Sequence, residues 1–217
     1  MGEVVIIRHG QANSAAKDEA SYDILSELGH RQAGWLGEWM AAQNETFDAA
    51  FVGTMRRHRE TAVGMGQAEE ALRADARFNE MDYFNLSEAM RNAFDVPLPE
   101  NDRDFYHHVP KLMEAWERAE IQGNESFASF ETRVTEAIRD VAQEGRRVLV
   151  VTSGGVIGMI VRHVLNLDPR RMAHILLPVR NSSVHRLQVV GDDMFLSGFN
   201  ATPHLDAPDR AFARTTY

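Results

Sequence analysis

Cysteine is absent from the 217 residues of the chain. Neither a disulfide framework nor a thiolate metal site is therefore available, and the absence of disulfides fits a reducing compartment. Stability must come from apolar packing instead. A chain of this length with 44% hydrophobic residues can bury one large core, so we expect a single domain over residues 1–217.

An excess of positive charge is also missing. The chain has 23 Lys and Arg residues against 32 Asp and Glu residues, which gives a formal net charge of −9. Nucleic-acid binding needs a basic face, so we do not expect nucleic acid as a partner. No stretch approaches the length of a membrane span, and strand-like residues follow Glu3 directly, where a signal peptide would otherwise run. We therefore expect a cytoplasmic protein that makes no membrane contact.

The most informative segment is residues 4–10, which read Val-Val-Ile-Ile-Arg-His-Gly. Four β-branched residues in a row favour a central strand, and in open α/β sheets the ligand crevice lies beyond the carboxyl ends of such strands. Arg8 and His9 are therefore expected to face that crevice. The planar fork of arginine matches phosphate oxygens, and neutral imidazole can attack phosphorus and carry the phosphoryl group. The segment predicts a nucleophile that handles phosphate.

Strand and helix patterns alternate along the chain, which predicts an α/β fold: a three-layer sandwich with a mostly parallel central sheet and helices on both faces. Besides the first strand, we expect strands at residues 47–52, 148–152, 183–190 and 194–199, the last two forming a closing hairpin. Helices are expected from about 27 to 43, from 55 to about 71, and from about 154 to 167. Residues 84–145 are predicted to form a mostly helical insertion that caps the crevice.

Four further motifs follow Arg8-His9-Gly10 in a fixed order. They are Leu-Ser-Glu-Leu-Gly-His-Arg-Gln-Ala at 25–33, Gly-Thr-Met-Arg-Arg-His-Arg-Glu-Thr-Ala at 53–62, Phe-Asn-Glu-Met-Asp at 78–82, and Val-Leu-Val-Val-Thr-Ser-Gly-Gly-Val at 148–156. In this order the chain resembles the histidine phosphatase superfamily, which includes the cofactor-dependent phosphoglycerate mutases. The resemblance runs along nearly the whole chain and implies a phosphoglycerate mutase-like fold.

The resemblance also implies roles for individual residues. His9 takes the place of the family's nucleophile and Arg8 that of its first phosphate-binding arginine. Registration on Thr61-Ala62 makes Arg57 the second one. Glu80 takes the place of the proton donor, while Asp82, two residues further on, remains a competing acid.

Ser153 stands where most relatives carry the second active-site histidine. Loss of one donor to the transferring phosphoryl group typically lowers turnover by about a hundred- to a thousandfold. A serine hydroxyl can still donate, and the free backbone N–H groups of a helix that begins near Gly154 favour anions. The sequence therefore leaves two alternatives open, a retuned enzyme of reduced activity and a non-catalytic relative.

A second departure follows the first motif, because Ala12 and Ala15 stand where the family commonly has a hydroxyl residue and an asparagine. Asn13, or else Ser14, is the candidate that compensates from the same loop, and we include Asn13 among the phosphate-binding residues. His58 directly follows Arg57. We expect it to be exposed or structural rather than catalytic, with supply of the missing donor as the alternative.

These residues predict a metal-independent phosphomonoester hydrolase that acts through a phosphohistidine on His9. Two arginines supply the positive charge that Mg²⁺ provides in kinases, so no metal and no cofactor are expected. The expected partner is a small phosphorylated substrate or a phosphoprotein. A mutase-type phosphotransferase and a catalytically impaired, phosphate-binding regulatory protein are the alternatives. The oligomeric state is left open, with a homodimer among the choices.

Overall fold

A computed structural model of the chain describes residues 1–16 and 18–216; Lys17 and Tyr217 lie outside the described part. The strands in this part are β1 Gly2–Arg8, β2 Ala49–Val52, β3 Leu72–Ala74, β4 Arg147–Thr152, β5 Val184–Val190 and β6 Asp193–Ala201. The helices are α1 Glu19–Tyr22, α2 Glu27–Ala42, α3 Arg56–Gly64, α4 Tyr83–Phe94, α5 Asp102–Glu117, α6 Phe127–Val141, α7 Gly154–Leu165 and α8 Pro169–Leu176. None of the described helices is long and apolar enough to span a membrane.

The strands form one mixed sheet in the order β3-β2-β4-β1-β5-β6. β1, β4, β2 and β3 run parallel, whereas β5 and β6 form the antiparallel hairpin at one edge. The α/β class and the mostly parallel sheet are thereby confirmed. Arg8 pairs in register with Thr152. The residues that follow β1 and β4 therefore lie side by side at the carboxyl ends of the parallel strands.

Alternation along β1 explains the layers on either side of the sheet, because successive side chains of a strand point to opposite faces. Val5 and Ile7 pack with α2 and α3, through residues such as Leu36 and Ala62. Val4 and Ile6 pack on the other face with α6 and α7. Both faces of β1 are thus buried, as its run of β-branched residues predicts.

Two helices end earlier than the sequence predicts. The helix predicted to reach about residue 71 ends at Gly64. Gly66 then adopts a φ of +87°, a left-handed conformation that glycine takes without steric strain and that stops a helix. The short strand β3 follows and pairs with β2. The helix expected to reach 167 ends at Leu165, and Pro169 opens a further helix, α8, as its first residue, where its missing N–H has no partner to lose.

Residues 84–145, predicted to form a helical cap over the crevice, belong to two different parts of the fold. α6 shares the main apolar core with β1 and β4, through Phe130, Val134 and Ile138, and so belongs to the helical layer of the sandwich. α4 and α5 instead contribute residues that line a cavity at the carboxyl edge of the sheet. The part of this region that covers the crevice is therefore limited to these two helices and the segment between them.

Candidate active site

His9 directly follows β1 and is 1% exposed. Its Nδ1 lies 2.7 Å from the carbonyl oxygen of Gly10. A carbonyl oxygen only accepts hydrogen bonds, so Nδ1 carries the proton and Nε2 keeps its lone pair. Burial, followed by the charges of Arg57 and Arg8, holds the pKa of His9 well below its usual value. The imidazole is therefore neutral near pH 7, the form in which it can attack phosphorus.

Arg8 supplies the first buried cation of the site. Its Nη1 donates to the carbonyl oxygen of Val179, whereas its Nε has no hydrogen-bond partner among the described residues. The guanidinium lies against the start of α7, since a Cβ built on Gly154 would stand 3.5 Å from Arg8 Cζ. Burial lowers the pKa of Arg8, but a guanidinium stays protonated in proteins.

Arg57 lies in the first turn of α3 and is fully buried. Its Nη1 donates to Glu19 Oε1 at 2.7 Å and to Asp23 Oδ1 at 3.2 Å. The Nε and Nη2 atoms find no acceptor within the described part of the chain. Because a buried donor without a partner is costly, the open donors of Arg8 and Arg57 indicate a site for an anion.

Glu80 is held at the amino end of α7 by two backbone groups. Its Oε2 accepts a hydrogen bond from the Gly155 N–H at 2.9 Å, and its Oε1 accepts one from the Met81 N–H at 3.0 Å. A Cβ at position 155 would come within 2.2 Å of Glu80 Oε1, so this approach requires glycine. Glu80 lines the same cavity as the two arginines.

Asp82, the competing acid, has a structural role. Its Oδ1 accepts from the Asn85 N–H at 3.0 Å and so caps α4, and its Oδ2 accepts from Asn124 at 2.9 Å. It does not line the cavity that contains Arg8 and Arg57. Of the two competing acids, the structure therefore brings Glu80 to the arginines.

Ser153 occupies the N-cap position of α7, but its hydroxyl makes no cap hydrogen bond to the described helix. Its Oγ lies 2.6 Å from His58 Nε2 instead. His58 is fully buried, and its ring centroid is 5.8 Å from that of His9. Burial and then the charge of Arg57 hold the pKa of His58 well below its usual value. His58 was expected to be exposed or structural; the first part of that expectation is wrong, because the side chain lies on the buried side of α3.

The cavity beside these residues has a volume of about 360 Å³. Arg8, Arg57, Glu80 and Gly154 line it. His9 and Ser153 do not line it, and they are buried at its arginine end. There α1 covers His9, since the Tyr22 ring lies edge-on to His9 at 6.3 Å and 4.9 Å from Arg57 Cζ.

Asn13 is not brought to the cavity. Its amide nitrogen donates to the Ser21 carbonyl at 3.0 Å and its amide oxygen accepts from the Ala15 N–H at 3.4 Å. Ser14, the second candidate in this loop, does line the cavity, as does Thr216 near the end of the chain. The role of Asn13 in phosphate binding stays a prediction.

Glu19 is the residue that sequence reasoning missed. It lines the cavity and pairs with Arg57, and burial raises its pKa despite that contact. The sequence between residues 10 and 25 offers no motif that marks it. Its position depends on the path of the loop after β1, which no local pattern predicts.

Comparison with known protein families identifies the superfamily. The model of the histidine phosphatase superfamily, branch 1, matches residues 4–202. The chain belongs to this superfamily. A 2,3-bisphosphoglycerate-dependent phosphoglycerate mutase from Methylorubrum populi is 28% identical over 202 residues, covering 85% of this chain and 89% of the mutase.

Solved structures with a similar fold include two phosphatases. A phosphoserine phosphatase from Entamoeba histolytica in complex with phosphoserine aligns with a TM-score of 0.69 at 18% identity, covering 94% of this chain and 100% of the other. The alpha-ribazole phosphatase from Shigella flexneri aligns with a TM-score of 0.69 at 17% identity, covering 92% and 96%. At such identities these structures establish the shared fold.

Proposed function

We propose that this histidine phosphatase superfamily member hydrolyses phosphate monoesters through a phosphohistidine on His9. One observation carries the proposal: a neutral imidazole whose Nε2 keeps its lone pair lies next to two buried guanidinium groups whose Nε atoms have no hydrogen-bond partner among the described residues. Arg8 and Arg57 hold the phosphate dianion. We assign Ser153 to the place of the histidine that most relatives carry, where its hydroxyl and the backbone N–H of Gly154 add donors.

The reaction has two steps. His9 Nε2 forms a bond to phosphorus while the ester P–O bond breaks, and protonated Glu80 gives its proton to the leaving oxygen. A water then attacks phosphorus, the N–P bond breaks with its electron pair returning to Nε2, and the Glu80 carboxylate takes the water's proton. The products are an alcohol and inorganic phosphate.

Substrate entry requires α1 to move. Glu19 occupies one donor of Arg57, and Tyr22 covers His9 and Arg57 together. A phosphate dianion carries more charge than the Glu19 carboxylate and can accept from several guanidinium donors, so it replaces that carboxylate on Arg57. Displacement of α1 then opens the path from the cavity to His9.

The experiment is to incubate the protein with 4-nitrophenyl phosphate radiolabelled in its phosphoryl group and to quench rapidly. Wild type is expected to carry an acid-labile, base-stable label, and His9→Ala to carry none and to lose turnover. His30→Ala, which changes an exposed histidine on α2, is the matched control and should retain both.

Three other outcomes would replace the proposal. Label on a hydroxyl group, stable to acid, would assign the nucleophile elsewhere. Transfer of label from a bisphosphate to a monophosphate, faster than hydrolysis, would favour the mutase that the Methylorubrum relative represents. Phosphate binding without any label would favour a regulatory role.

A further inference from the structure

The cavity next to the arginines is mostly apolar. We propose that the alcohol esterified to the phosphate is an uncharged, flat apolar group, of the aryl or arylalkyl class, bound by α4, α5 and α8; this rests on the proposed function. Tyr83 and Phe84 from α4, Phe105 from α5 and Leu176 and Leu177 at the end of α8 form the walls.

The aromatic walls are arranged to accept a ring. The rings of Tyr83 and Phe105 are 5.3 Å apart at 67°. Edge-on contacts of this kind are the preferred packing of aromatic side chains. The Tyr83 hydroxyl lies 3.3 Å from His108 Nδ1, so one of its hydrogen bonds is made within the protein.

Charge argues against an anionic alcohol group. Among the described residues that line the cavity, Arg8 and Arg57 are the cations, and both are needed for the phosphate. The other charged lining residues are Glu19 and Glu80. A carboxylate or a second phosphate on the substrate would find no spare guanidinium among these residues, and burying an unpaired charge is strongly unfavourable.

The volume and the position of the cavity fit the same class of substrate. A volume of about 360 Å³ is at the small end of the roughly 300–1,000 Å³ found for small-molecule pockets. Arg8, Arg57 and Glu80 border the cavity together with the aromatic residues. A phosphate on the arginines therefore places the leaving oxygen near Glu80 and directs the alcohol group toward the aromatic walls.

The test compares three esters: ethyl phosphate, 2-phenylethyl phosphate, and the same phenylethyl ester with a carboxylate at the far ring position. All are alkyl esters with similar leaving oxygens, so differences in kcat/KM report the cavity. Burial of the phenyl ring is expected to raise kcat/KM about tenfold to a hundredfold over ethyl phosphate. The carboxylate on the ring of the third ester is expected to cancel that gain in kcat/KM.

A pair of variants tests whether the preference for the phenylethyl ester arises in this cavity. Phe105→Ala should remove most of the gain, measured as the ratio of kcat/KM for the phenylethyl ester to kcat/KM for ethyl phosphate. Tyr106→Ala is the matched control, because Tyr106 is the next residue of α5 and is 42% exposed. Thermal melting of both variants checks that they fold, and the ester comparison on wild type does not depend on either.

Equal kcat/KM for the ethyl and phenylethyl esters, or a preference for the carboxylated ester, would overturn the substrate class while hydrolysis itself stands. Absence of His9-dependent turnover of every ester would overturn the proposed function instead. In that case, calorimetry with 2-phenylethylphosphonate and ethylphosphonate still decides the class. Tighter binding of the phenyl compound by about tenfold or more supports the class, and equal binding contradicts it.

Discussion

His58 Nε2 lies 2.6 Å from Ser153 Oγ, in a contact that joins α3 to the end of β4 beside His9. Both side chains are fully buried. With His58 neutral and its proton on Nε2, the ring donates to Ser153 and leaves the hydroxyl proton free for a phosphoryl oxygen. A serine fixed in this way is a better oriented donor than a freely rotating one.

His58→Ala and Ser153→Ala are each expected to lower kcat at least tenfold, since removal of one phosphoryl-oxygen donor lowers rates by about a hundred- to a thousandfold. If His58 acts through Ser153, the double variant should be no worse than the more severe single one. A double-mutant cycle on kcat measures this. Additive losses would mean that the two residues act separately.

Ser153→His is expected to lower turnover rather than raise it. Ser153 is fully buried and His58 already lies against its hydroxyl, so an imidazole at 153 has no room without shifting His58. Steady-state kcat on 4-nitrophenyl phosphate measures the effect. A rise of about a hundredfold would show that serine merely weakens the site.

Glu80→Gln should slow hydrolysis of alkyl phosphates by about a hundred- to ten-thousandfold and affect 4-nitrophenyl phosphate much less, because the poor leaving group needs the proton most. Asp82→Asn is the control. It should leave this ratio unchanged, and any effect should fall on stability, since Asp82 caps α4. Equal losses with both kinds of ester would argue against Glu80 as the acid.

Glu19→Gln is expected to strengthen inhibition by inorganic phosphate about tenfold, which corresponds to about 1.4 kcal/mol. The substitution removes the carboxylate that occupies Arg57 Nη1. Glu27→Gln, at an exposed position of α2, changes the net charge equally and serves as control. Weaker inhibition in Glu19→Gln would mean that Glu19 supports the site rather than competing for it.

Stability is expected to fall as the pH drops below about 6.5, the usual pKa of histidine. Burial lowers the pKa of His185 to about 3 and that of His204 to about 4. The unfolded chain therefore binds protons that the folded protein does not, so each group removes up to about 1.4 kcal/mol per pH unit until the folded pKa is reached. Urea unfolding between pH 7.5 and 4.5 measures the slope, which His204→Asn should reduce; an unchanged slope would contradict this origin.

The amino-acid sequence by itself determined the longer strands of the sheet and the placement of Arg8 and His9 at its carboxyl end. Continuous β-branched runs predict β1 and β4 because strands buried on both faces need apolar residues at every position. Parallel strands place their carboxyl ends at one edge, so Arg8 and His9 had to meet Ser153 there. The order of motifs along the chain predicted that Arg57 and Glu80 would join them.

Only the tertiary structure decided which side chains complete the site. Glu19 reaches Arg57 across 38 residues, and His58 reaches Ser153 across 95. Such contacts depend on loop paths and on packing between layers, and no local periodicity specifies them. The three-residue strand β3 was missed for a related reason, since its pairing with β2 makes it a strand. Local patterns specify elements because each element buries its own face, whereas a site is formed by residues that meet only after those faces have packed together.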